Sequence, residues 1–402
     1  MTAHPSCDHL GHATPTPSRS GTADLLKGAA VVLMIQVHLM ELLARPDVLA
    51  GWAGRLSLLF GGPPVAPVFL LVMGYYLAAS RRSTGRLVWR GVKLIGLGLL
   101  LNLGMNAHLL VKIWQGAIRL DPWPYILGVD ILFLAGASTV ILAVLRRFLR
   151  RTALLGVGGA CVLALASPWV AKALATESGL RWALAYVGGG YEWSYFPWFP
   201  WLAYPLLGFA CRQLRCQLPA ALGESGGPSV ADGRHGQPRS PDTLAGDGAT
   251  DGQECPADRG SDGCPSRRWR IAAWGILFMC FSGVAATGSY AVAVCHDLPR
   301  YYHHGIQFFG WICAFAVVWV GLHHACESRW GDRPAVRWLK GLGRNVTLCY
   351  VVQWLIIGNV ATACYKTESF LHWSLWVVAV VTATSLISAG VGSWQEEKGR
   401  RL

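Results

Sequence analysis

The feature that most constrains this chain is a succession of apolar stretches separated by short runs of arginine and lysine. Each stretch is close to the roughly 20 residues that a helix needs to cross the hydrocarbon core of a bilayer. In that core a segment must satisfy its own backbone N–H and C=O groups, and helices do so without a partner. Ten stretches meet the requirement: Leu25–Ala44, Ser57–Ala79, Val88–Val111, Tyr125–Leu145, Ala153–Leu174, Phe196–Leu214, Ile271–Val294, Gly305–Cys326, Val346–Tyr365 and Leu371–Gly392. Pro63, Pro64 and Pro67 interrupt the second. The expected fold is therefore all-α, a polytopic integral membrane protein of about ten transmembrane helices, and we find no internal repeat.

Composition agrees with the bilayer as solvent. Hydrophobic residues make up 53% of the 402, and only 14% are charged; soluble domains carry roughly 25% charged residues. The 19 tryptophans fit, because indole rings collect at membrane–water interfaces. A net charge of +13 would point to nucleic acid in a soluble protein. Here the cations sit in runs at alternate helix ends, which excludes a nucleic-acid groove and fixes topology instead. The clusters Arg81–Lys93, Arg146–Arg151, Arg212–Arg270, Arg329–Arg344 and Lys398–Arg401 all fall on one side if there are ten spans. That side is expected to be the cytoplasm, with both termini there, in the inner or plasma membrane of the cell. Asn345-Val346-Thr347 then lies on the cytoplasmic side and is not expected to be glycosylated.

Domain organisation follows from the breaks in hydropathy. Residues 1–22 read as a disordered cytoplasmic tail, 23–216 as helices one to six, and 217–268 as a disordered linker rich in Gly, Pro, Ser and Asp. Residues 269–394 carry helices seven to ten, and 395–402 a second tail. The polar N-terminus has no basic run leading into a short apolar core, so a removable signal peptide is not expected. Twelve cysteines are scattered singly with no CxxC pair, which argues against a disulfide framework or zinc ribbon. His4, Cys7, His9 and His12 cluster in the tail, but a flexible tail does not preorganise ligands, and no metal is expected.

Polar residues within a span need a partner or a function. The first span is richest: Asp24, Lys27, His38 and Glu41 fall within about a third of the helix circumference, with Gln36 opposite. Lys27 and His38 are separated by a rise of roughly 16 Å. Alone, His38 reads as an interior histidine bonded to a neighbouring helix. Glu41, one turn on, adds a second reading, because a carboxylate can fix an imidazole's tautomer for general-base or nucleophilic work. Asp130 lies near the outer end of the fourth span, and His303 and His304, beside Asp297 and Arg300, could line an acceptor site. His323 and His324 read as interfacial, and Pro197, Pro200, Pro205 with Trp193, Trp198 and Trp201 as an aromatic belt on a kinked helix.

The run Asp24-Leu25-Leu26-Lys27-Gly28, followed by apolar residues and His38, resembles the opening helix of the acyltransferase-3 superfamily. More closely, it resembles bacterial relatives of heparan-α-glucosaminide N-acetyltransferase, with Lys27 in place of the usual Arg. Val65 to Gly74, Phe196 to Leu202 with Gly208, and Leu342-Gly343-Arg344-Asn345 through Tyr350 resemble later stretches of the same group, in the same order. The late helix departs from the pattern, with Gln353 where a His is usual. The resemblance implies transfer of an acyl group, most simply acetyl, from cytoplasmic acyl-coenzyme A (acetyl-CoA) to a small-molecule or saccharide-like acceptor at the far side. By the same resemblance His38 is the catalytic candidate, with Glu41 beside it. Asp24, Lys27, Asp130, His303, His304 and Gln353 are supporting or acceptor-side candidates. The expected partners are the bilayer and the acceptor, with self-association open and nucleic acid excluded. A transporter with a polar helix lining its path, and an inactive relative suggested by Gln353, are the alternatives.

Overall fold

The computed structural model describes residues 20–221 and 267–401, all of them in helices and their connections, and Ala44–Glu368 is the single isolated bridge among them. The expected tail and most of the expected linker lie outside the described residues. The chain runs α1 (Gly21–Leu42), α2 (Pro46–Ala50), α3 (Trp52–Gly61), α4 (Ala66–Ala79), α5 (Thr84–Met105), α6 (Ala107–Trp114), α7 (Trp123–Ile126), α8 (Ile131–Leu149), α9 (Ala153–Ala173) and α10 (Arg181–Val187). It continues as α11 (Trp198–Trp201), α12 (Ala203–Ala221), α13 (Arg267–Ala286), α14 (Gly288–His296), α15 (Leu298–Tyr302), α16 (Ile306–Trp330), α17 (Pro334–Arg344), α18 (Val346–Cys364) and α19 (Phe370–Arg401).

Eight helical segments among the described residues are long and apolar enough to cross a membrane, and nine if α13 and α14 form one span. The chain is thus an all-α polytopic membrane protein. α13 and α14 meet at an angle of 59°. Thr287 at the break turns its hydroxyl back onto the Gly283 carbonyl at 2.6 Å, a bond that favours bending. The expected sixth span differs most. Phe196–Trp201 is broken around a cis Phe199–Pro200 bond, and α12 carries Arg212 and Arg215 in its second half. α3 and α4 form one span of 28 residues, broken at the Gly62–Val65 turn where the prolines sit.

α1 lies at the centre, packed against α3, α4, α16, α17, α18 and α19. It crosses α17 so closely that a Cβ on Gly28 would overlap the Leu339 carbonyl, and one on Gly343 the Asp24 carbonyl. α4 and α12 make the same kind of crossing, with Gly74 against the Pro205 backbone and Gly208 against the Leu71 backbone. Lipid tails give apolar side chains no reason to leave them, so backbone approach through small residues contributes strongly to helix association in a bilayer. Ser57 pins the other side of α1, its hydroxyl donating to Gln36 Oε1 at 2.6 Å while Gln36 Nε2 donates to the Ser57 carbonyl at 3.1 Å.

Several basic side chains lie toward the end of the bundle where α1 begins, and Arg344 reaches Asp24 there. Arg146 donates to the Arg82 carbonyl at 2.8 Å, and Arg150 to the Ala78 carbonyl at 3.3 Å. Arg212 and Arg215 both reach the Tyr75 hydroxyl, at 3.2 and 2.9 Å. Lys340 pairs with Glu327 at 3.0 Å. α1 runs from this basic end to the opposite one, where its last turn is tied by Lys366 N–H to the Leu42 carbonyl.

Candidate active site at the far end of the central helix

The two ends of α1 carry two polar groups, and the structure separates them. At its start, Asp24 is buried and takes Lys27 Nζ at 2.8 Å and Arg344 Nε at 3.7 Å. These residues belong to two of the quoted stretches, and Gly28 and Gly343 bring the two helices together at the same level. Asp24, paired with Lys27 on its own helix, therefore meets Arg344 of α17 rather than sitting beside His38.

Near the end of α1, His38 Nδ1 is buried and faces Glu41 Oε2 at 3.6 Å. The Trp354 indole covers the imidazole, with ring centroids 4.2 Å apart and planes tilted by 40°. One turn before Trp354 on α18, the Tyr350 hydroxyl donates to Asp130 Oδ1. Asp130 is the N-cap of α8, accepting from Ile131 N–H at 2.7 Å and Leu132 N–H at 3.4 Å. This is the standard use of an aspartate before a helix, where first-turn N–H groups lack partners. Asp130 is joined to His38 through Tyr350 and Trp354, whose ring centroids lie 6.5 Å apart. The structure thus brings His38, Glu41 and Asp130 into one cluster and adds Tyr350, quoted above only as the end of a family-like stretch, and Trp354, which sequence reasoning did not single out. A Tyr-x-x-x-Trp pair one turn apart on a span is a signal, though a weak one in a chain with 19 tryptophans.

The chemistry open to this cluster is that of an oriented imidazole. His38 Nδ1 has no hydrogen-bond partner among the described residues, and Glu41 at 3.6 Å is within ion-pair but not hydrogen-bond distance, so the carboxylate can favour charge on an imidazole acting as general base or nucleophile without fixing its tautomer. Glu41 then stabilises the positive charge that builds on the ring as it takes a proton. Gln353, on α18 beside Trp354, is wholly buried, and neither atom of its carboxamide has a hydrogen-bond partner among the described residues.

His303 and His304 are set apart from this cluster on the connection before α16. His304 is buried, with Nδ1 2.6 Å from the Tyr301 carbonyl and Nε2 2.7 Å from the Tyr204 hydroxyl. A carbonyl can only accept, so Nδ1 carries the proton and Nε2 receives the tyrosine hydroxyl. Burial lowers the His304 pKa to about 4, so the ring is neutral and structural. His303 is also pushed down by burial. Trp201 proves to be core rather than belt: it is fully buried, and its indole N–H donates to the Tyr302 carbonyl at 2.8 Å. The turn around Pro200 carries its ring inward. Among the described residues no group of three or more His, Cys, Asp or Glu could hold a metal.

A multi-pass helical membrane protein with an imidazole–carboxylate pair on its central span is the class that fold and site define. Residues 19–223 match the family described as heparan-alpha-glucosaminide N-acetyltransferase, catalytic, and this chain belongs to that family. Acetyl-CoA is the donor generally used by acetyltransferases of this type. Comparison with curated proteins and with solved structures gives no match.

Proposed function

We propose that this chain transfers an acetyl group from acetyl-CoA, taken at the basic, cytoplasmic end, to an amino group of a saccharide-like acceptor at the His38 end. The observation that carries the reading is the His38–Glu41 pair at 3.6 Å on the central helix of a family of acetyltransferases. In this reading His38 Nε2 removes the acceptor's N–H proton as the nitrogen attacks the thioester carbonyl. The C–S bond breaks, and the coenzyme A thiolate leaves and takes up a proton. His38 could equally accept the acetyl group first and pass it on, and the same two nitrogens serve both routes. Glu41 at 3.6 Å favours the charged form of the ring as it takes up the proton, and the Trp354 ring limits the imidazole's rotation.

The test is acetyl transfer by purified protein, followed with radiolabelled acetyl-CoA and an amino-sugar acceptor. Loss of a general base slows a reaction by on the order of 10²–10⁴-fold, so His38→Gln should fall by at least that while still binding acetyl-CoA. Glu41→Gln should lose less, because Glu41 favours the charged ring and does not move the proton. Wild-type turnover in a well-folded His38→Gln protein would overturn the mechanism. Substrate flux with no covalent change would favour a transporter.

A further inference from the structure

A cavity of about 360 Å³ opens at the His38 end between α9, α14 and the start of α16. Leu165, Trp169, Tyr290, Arg300, His303 and Gln307 are among the residues lining it. Tyr301, next to Arg300, packs against Gly62, and Gly61 packs against Val37, the residue before His38, which puts the cavity on the same side of the bundle as the candidate active site.

The polar side of the cavity carries one cation, Arg300, whose backbone N–H also donates to the Asp297 carboxylate at 3.2 Å. The Arg300 guanidinium rests over the Tyr290 ring at 5.7 Å, and no ion pair holds it among the described residues. His303 Nδ1 is buried and without a hydrogen-bond partner, and the Gln307 amide is exposed. The first turn of α16 adds backbone N–H groups with no side-chain cap. A guanidinium with amide and imidazole groups around it is suited to a phosphate, which it can bind through two parallel hydrogen bonds.

The other side of the cavity is apolar and faces outward. Leu165 is 50% exposed and Trp169 64%. With Val162 they form one face of α9, a spanning helix, so this face looks into lipid. A soluble ligand would gain nothing from such a wall, whereas a lipid could lie along it with its head group at Arg300.

We propose that this cavity is a head-group site for a phosphate-bearing lipid, and that an acceptor anchored in the membrane reaches His38 through it. The second clause rests on the acetyl-transfer reading; the first does not. The full chain, purified in a neutral detergent without acetyl-CoA, is mixed with four probes, and retention is read by native mass spectrometry. The probes are a polyprenyl phosphate, phosphatidylglycerol, a neutral diacylglycerol and inorganic phosphate. The two lipid phosphates should be retained and the other two lost, and competition between the lipids tells a carrier lipid from a bulk phospholipid. Arg300→Ala should weaken retention by about tenfold or more, as expected for a charge-assisted contact. Arg300→Lys should recover part of it, and neither should change thermal stability, because Arg300 is exposed. Equal retention of diacylglycerol, equal retention of inorganic phosphate, or an unaffected Arg300→Ala protein would each overturn the proposal. Because no donor is present, inactive His38 chemistry leaves this result untouched, and failed retention leaves the transfer reading standing.

Discussion

Tyr350 and Asp130, 220 residues apart in sequence, meet through a hydroxyl that donates to a carboxylate already capping α8. The contact ties α18 to the start of α8 and fixes the turn that places Trp354 over His38. Removing the hydroxyl in Tyr350→Phe takes one donor from a carboxylate that keeps two. Hydrogen bonds to charged groups contribute roughly 1.5–3 kcal/mol, so thermal denaturation should show a loss of that order. In a double-mutant cycle, Tyr350→Phe with Asp130→Asn should cost less than the sum of the single changes. Strict additivity would mean the two residues are not energetically linked.

The α1–α17 crossing predicts a sharp response to a single methyl group. Gly28→Ala and Gly343→Ala each place a carbon onto backbone that cannot move aside alone. Overpacking costs about 1–3 kcal/mol and at times more, so both proteins should lose stability or fail to purify as a single species. Gly85→Ala, with nothing within 4 Å of the added carbon, is the control and should behave as wild type.

Asp24 is buried with Lys27 and within ion-pair distance of Arg344. Asp24→Asn leaves the Lys27 ammonium half-buried beside a neutral amide. Breaking a buried pair by removing one partner costs on the order of 3–5 kcal/mol. The expected result is a large drop in melting temperature, with any folded fraction still active, since the group is remote from His38. An activity loss without a stability loss would assign Asp24 to the chemistry instead.

The neutral His304 ring makes stability depend on pH. Its folded pKa of about 4 lies below the ordinary histidine value near 6.5. Above that ordinary value both states are neutral and the group contributes no slope. As pH falls from there toward 4, the unfolded chain binds a proton that the folded chain refuses, and stability is lost. The full loss is on the order of 3 kcal/mol. Melting temperatures of purified protein should decline over this interval, and His304→Gln should flatten the decline while lowering the plateau.

The legible parts of this structure are those written in helical period. Asp24, Lys27, His38 and Glu41 share one stretch of one helix, so their common face could be read directly, and His38 does meet Glu41 there. What could not be read was which of them act together, because Arg344, more than 300 residues away, claims Asp24 for the opposite end. Asp130 was visible as a costly carboxylate, but its role as a cap depended on where α8 begins, six residues later than hydropathy suggested. Tyr350 could be read only as the end of a family-like stretch and Trp354 not at all, since an aromatic on a span is ordinary until its neighbour across the bundle is known. His304 beside His303 could be read only as a loop histidine able to line an acceptor site, and only the positions of Tyr204 and Tyr301 show both of its nitrogens in use.

The contact between Gly28 and α17 has a bearing on what counts as a unit of this protein. The family match ends at residue 223, and it contains His38, Glu41 and Asp130. Yet Tyr350 and Trp354, which bond Asp130 and cover His38, and Arg344 and Gly343, which meet Asp24 at the other end of α1, all come from beyond it. A fragment cut at that boundary would own the reactive side chains while lacking the walls that orient them, and its central helix would present a bare glycine notch to lipid. The matched segment thus depends on the second half of the chain for the surfaces that seat its polar groups.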